Sequence, residues 1–153
     1  MRDKKWVLEY RGGLLKIEQQ KQLMKWTIES VNNLLQLLNG NVNEKIINAI
    51  NTGNNWIIGK AKTGDAIKSA REILKYVRTI DNELEIAITR AAGHAVATAH
   101  MADHSMGAVK YGLDAIKIIG VSIEKEVEWQ IKNIPNELKG LVLEGLINKK
   151  IIM

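Results

Sequence analysis

Ala91-Ala92-Gly93-His94-Ala95-Val96-Ala97-Thr98-Ala99-His100-Met101-Ala102 is the stretch on which the fold turns. It holds no formally charged residue, although 25% of the whole chain is charged, and seven of its twelve residues are Ala or Gly. Small uncharged side chains suit a helix at the centre of a bundle, where neighbouring backbones come close. Two histidines lie inside the stretch and a third, His104, follows at once. Polar rings in such a place need partners.

Outward from that segment, apolar residues recur at spacings of three and four. Met24, Ile28, Val31, Leu35 and Leu38 form one stripe, and Gly40 is placed to end that helix in a left-handed conformation. Asn41 with Glu44 has the spacing of a capping box. A second stripe follows in Ile46, Ile50, Gly53 and Ile57, with Trp56 beside it. The third comprises Ala66, Ala70, Ile73, Val77 and Ile80. Asn82 with Glu85 opens the central helix, which is expected to stop or bend near Asp103. Another helix is expected from about Ser105 to Ile119, stopped by Gly120. Ser122 suits the N-cap of a short helix carrying Trp129, and Pro135 the first turn of a last helix reaching about Lys149. No strand-like alternation of useful length occurs. The expected fold is all-α: six or seven mostly antiparallel helices in one bundle around the small-residue helix. A chain of 153 residues is most simply one domain, spanning 1–153.

Composition removes several classes of function. There is no Cys, so disulfides and thiolate zinc sites are excluded. No apolar run reaches the length of about eighteen residues that a membrane span needs. No apolar signal region follows the charged start Met1-Arg2-Asp3-Lys4-Lys5, so the expected compartment is the cytoplasm. The net charge of +5 is mild, and no groove-reading motif accompanies it, which makes a nucleic-acid-binding module the weakest of the readings.

Catalytic motifs fail in turn. A ferritin-like site needs Glu-x-x-His pairs, and no His here has a Glu three residues before it. His-Glu-x-x-His and phosphate-binding glycine loops are absent; Gly12-Gly13 reads as a turn. Ser30, Ser69, Ser105 and Ser122 sit in no nucleophile context. If the helix continues through Asp103, His100 and His104 share a face at a metal-ligand spacing. A small metal-dependent enzyme built on His94, His100, Asp103 and His104 is therefore the alternative to a non-catalytic protein. The plainer expectation is that each imidazole bonds a carbonyl or hydroxyl and stays neutral. No cofactor is expected.

A charged face adds a second feature. Lys68, Arg71, Lys75 and Arg78 fall in one arc of the third helix, away from its apolar stripe, with Glu72 at the edge. Such an arc is either a solvated face or a docking surface for an acidic partner. Trp6, Trp26, Trp56 and Trp129 are expected at core or boundary positions with their indole N–H groups paired. Trp6 and Tyr10 offer the alternative of a subunit contact, and the oligomer to expect in that case is a two-fold homodimer.

Arg90 to His104, with Gly107-Ala108 and Tyr111, resembles the core motif of the Imm5-like putative immunity proteins. Leu23-Met24-Lys25-Trp26, Glu29-Ser30-Val31 and Leu34-Leu35 resemble that family's first long helix, with Ile28 in place of its usual Cys and Ser30 in place of its Arg. Glu128-Trp129-Gln130 and Ile134-Pro135 match its C-terminal pattern. The resemblance implies an all-helical bacterial protein that protects its producer by binding a cognate toxin, and it implies no catalytic residues. In that setting Gly93, His94, His100, His104 and Trp129 are expected to hold the scaffold; the basic arc lies outside the family pattern, and its expected role in selecting a protein toxin with an acidic surface is read from its charge alone.

Overall fold

The computed structural model describes residues 2–153. Seven α-helices appear among them: α1 (Ile17–Leu35), α2 (Glu44–Ile57), α3 (Thr63–Val77), α4 (Glu83–Ala97), α5 (His104–Ile118), α6 (Glu124–Asn133) and α7 (Lys139–Asn148). Short 3₁₀ turns join the ends, and no strand occurs among the described residues beyond one isolated Leu8–Leu15 bridge. From α2 to α5 each helix packs on the next, and the short connections 58–62, 78–82 and 98–103 return the chain antiparallel.

The local signals act where expected, with small displacements. Asn82 caps α4, its Oδ1 accepting from the Glu85 N–H at 2.9 Å. The cap of α2 is Asn43, not Asn41: its Oδ1 accepts from the Lys45 N–H. Gly40 and Gly120 both adopt positive φ, at 83° and 77°; Gly120 follows the end of α5 as expected, whereas α1 stops at Leu35 and the 3₁₀ turn Gln36–Leu38 after it is capped by the left-handed Asn39 just before Gly40. The Ser122 Oγ accepts from the Glu124 N–H at the start of α6. Pro135 sits one step earlier than expected, opening the 3₁₀ turn Asn136–Leu138 that leads into α7.

Two hydrophobic clusters form the interior. One gathers Met24, Ile28 and Val31 of α1 with the stripes of α2 and α3 and the alanines of α4. The other gathers Trp6, Leu23, Trp26, Met106, Val109, Leu113 and the apolar face of α7. Within the first, α4 is central, packing on α1, α2, α3 and α5. Ala91, Ala92, Ala95 and Val96 are wholly inaccessible to solvent. Gly93 faces α3 so closely that a Cβ there would lie 3.0 Å from Ile73 Cγ2. The second cluster is built without α4. Helices α1 and α5 send side chains into both clusters and form the wall between them. Trp6 is buried in the second cluster, so it is core and not the exposed anchor of a subunit contact; Tyr10 stays 81% exposed.

Buried polar side chains pair across the helices. Trp26 donates its indole N–H to the Gln130 carbonyl at 3.2 Å, and Trp56 donates to Thr63 Oγ1 at 3.0 Å. Gln130 donates to Ser30 Oγ and to Glu126, tying α6 to α1. Trp129, on the same helix, packs half-buried against the second cluster.

Candidate functional site

The central helix ends at Ala97, earlier than Asp103. No glycine or proline stops it. Instead Gln20, buried on α1, donates its Nε2 to the Thr98 and Ala99 carbonyls at 2.6 and 3.0 Å. Carbonyls at a helix end lack intrahelical partners, and Gln20 supplies them. At the far side of the turn, Asp103 is held by Arg2 at 3.0 Å. Helix α5 then starts at His104 and folds back along α4.

This geometry rearranges the histidines. His100 lies exposed on the turn, while His104 opens the next helix, so the two do not share a helix face. The fold joins His94 to His104 instead: their Nδ1 atoms are 3.1 Å apart and their ring centroids 5.1 Å apart. The expected carbonyl or hydroxyl partner is replaced by the second imidazole. Gly107 makes the approach possible, since a Cβ there would lie 2.5 Å from His94 Nδ1. Tyr111, one turn further along α5, stacks on His94 with ring centroids 5.2 Å apart. Two cations flank Tyr111, with Arg90 at 5.6 Å and Lys110 at 4.5 Å from the ring centroid.

The pair stays neutral at physiological pH. Burial, reinforced by repulsion from His104 whenever that ring is protonated and by the standing charges of Lys110 and Arg90, pushes His94 down to about 4. Burial also lowers His104, with the neighbouring Asp103 carboxylate opposing the shift. An Nδ1–Nδ1 contact between neutral rings carries one proton: one ring donates and the other accepts. The outer nitrogens are then one acceptor and one N–H donor. Asp103 is engaged by Arg2, and no three His, Asp or Glu side chains among the described residues converge as a metal-binding set. The structure therefore does not assemble the four residues His94, His100, Asp103 and His104.

The imidazole pair stands between two hollows. One is an apolar groove of about 310 Å³ between α3 and α4, walled by Ile67, Ala70, Leu74, Val77, Gly93 and Ala97. Ile73, Arg71, Arg90, His100 and the His pair complete its lining. The other, on the α5 side, is lined in part by Met101, Lys110, Tyr111, Lys149 and Ile151.

The basic arc of α3 is exposed at all four positions but divides in function of place. Arg71 lines the groove. Lys75 lies 3.8 Å from Glu72, and Lys68 lines a separate hollow with Asp65 and Glu72. Arg78 follows the last residue of the helix. Sequence reasoning missed Gln20, and it placed Gly107 and Arg90 in the family-like motif without giving either a role. The signal for Gln20 was its place on the apolar stripe of α1, four residues before Met24.

Compared with known families, residues 13–137 match the family described as Imm-5 like putative immunity protein. No curated protein and no solved structure matches the chain. No helix among the described residues is long and apolar enough to cross a membrane.

Proposed function

We propose, from the premise that the chain belongs to the Imm-5 like putative immunity protein family, that it protects a bacterial producer by binding a cognate protein toxin and occluding it without catalysis. The whole chain is read as one domain working in the cytoplasm. Family membership carries this reading. The way the family-like motif is used supports it: most of its alanines are core, and two of its three histidines, His94 and His104, bond to each other. An occluding protein needs a rigid, preformed surface with a few anchors and complementary charge. The buried α4 and the latched turn after it provide such rigidity. The exposed faces around them, the α3 arc of Lys68, Arg71, Lys75 and Arg78 included, are then available to select the toxin.

The test is binding to the toxin encoded beside this chain's gene. Mixed with that toxin domain, the protein is expected to co-elute as a stoichiometric complex and to abolish its activity. Absence of both complex and protection removes the reading. A scaffold role for the histidines is checked separately. His94→Ala is expected to lower the melting temperature and neutralisation together; lost neutralisation at unchanged melting temperature contradicts that role.

A further inference from the structure

The α3–α4 groove has a composition that a solvated helix face does not require. Its walls are apolar, and small residues on both helices, Ala70, Gly93 and Ala97, hollow it out. Leu74 stands at its lip, 55% exposed, in the middle of the basic arc. An aliphatic side chain held in water among cations gains free energy when a partner covers it.

Charge around the groove has one sign. Arg71 on α3 and Arg90 on α4 line it, His100 lies at its edge, and no acidic side chain does. Neither arginine forms an ion pair among the described residues. The other shoulder of α3 differs, because Glu72 there meets both Lys45 and Lys75. Arg90 is also steadied, its guanidinium lying over the Tyr111 ring that rests on His94. A cation held in place before binding loses less freedom when it binds.

We infer that this groove seats an anchor of the partner protein: one large apolar side chain on a segment whose flanking residues are Asp or Glu. The inference rests on the immunity reading for the existence of a protein partner, and it names the chemistry of that partner's contact. The apolar side chain enters between Leu74 and Ala97, and the carboxylates meet Arg71 and Arg90. At about 310 Å³ the groove lies at the lower end of ligand-pocket sizes, roughly 300–1,000 Å³. It is open to solvent, which suits a side chain delivered from a facing surface.

The test uses the full chain, labelled with ¹⁵N, and short synthetic peptides. The first peptide carries a central Leu flanked by Glu; one control replaces that Leu with Gln, and another replaces each Glu with Lys. Sodium decanoate serves as a small amphiphilic carboxylate. The Leu/Glu peptide is expected to shift amide signals of residues 67–77 of α3 and 90–100 around the end of α4. Both control peptides are expected to bind at least about tenfold more weakly. Leu74→Asp and Arg71→Glu are each expected to weaken binding by about tenfold or more, and Lys68→Glu by less than about twofold. Both weakening changes are at exposed positions, so an unchanged melting temperature verifies that the fold is intact.

No shifts at the groove, equal binding of either control peptide, or full affinity in Leu74→Asp overturns the inference. Decanoate binding more tightly than the peptide also overturns it, assigning the groove to a small amphiphile. The two readings fail separately. A toxin complex that tolerates Leu74→Asp, with peptides ignored, removes the groove and leaves immunity. Peptides bound as described, with no toxin complex, remove immunity and leave the groove.

Discussion

His94 and His104 meet through their Nδ1 atoms at 3.1 Å, so the hairpin of α4 and α5 is fastened by a single proton held between two neutral rings. The contact spans the reversal from α4 to α5, and it needs at least one neutral ring, because two protonated imidazoles would offer two donors and no acceptor. Arg90, Lys110 and Arg2 face the pair with positive charge, and only Asp103 opposes them.

Stability is expected to fall in acid. An unfolded His takes its proton near pH 6.5, whereas folded His94 does so only at about 4. The unfolded chain therefore binds more protons between these values. The stabilisation is complete above about pH 6.5 and is lost as pH falls toward about 4. Allowing for partial exposure, the loss is on the order of 2 kcal/mol. Melting temperatures between pH 7 and 4 measure it, and His94→Gln is expected to flatten the slope.

Gly107→Ala is expected to be destabilising in the native chain and the reverse without the ring. With His94 present, the new Cβ would stand 2.5 Å from Nδ1, and overpacking of this kind costs about 1–3 kcal/mol. In a His94→Ala background the three atoms nearest to that Cβ are gone, and the helix is expected to gain up to about 1 kcal/mol from replacing Gly with Ala. Urea unfolding of the two single variants and the double variant reads the change of sign.

Gln20→Leu keeps the size of the side chain and removes its donor. The Thr98 and Ala99 carbonyls then lose their buried partner. A loss of about 1–3 kcal/mol is expected in chemical unfolding. Hydrogen exchange is expected to accelerate most at residues 98–103, and uniform acceleration over the whole chain contradicts a local latch.

Ala92→Leu tests the packing of the central helix directly. Ala92 is completely buried, so the larger side chain must displace its neighbours. The expected cost is about 1–3 kcal/mol or more, seen as a lower midpoint in denaturant. Unchanged stability places free space where the fold has none.

Much of the fold was legible in the order of residues. Helix existence followed from the three stripes, and Asn82 and Gly120 marked boundaries through short-range chemistry. The end of α4 was not legible, because the group that stops it, Gln20, lies 78 residues away from Thr98. That one misplaced boundary set His100 and His104 on one face in the metal-site alternative, where the fold joins His94 to His104. The basic arc was visible as an arc. Its division into an unpaired side at Arg71 and a paired side at Lys75 depends on α4 lying beside one edge and Glu72 beside the other.

The order of manufacture favours the latch on the central helix. Synthesis proceeds from the N-terminus, so α1 with Gln20 is already outside the ribosome when Thr98 and Ala99 are added. Their carbonyls can be met as soon as they emerge. His94, by contrast, must wait for His104 and Gly107 to follow it out, which makes the nascent bundle close its helix end first and its imidazole clasp second.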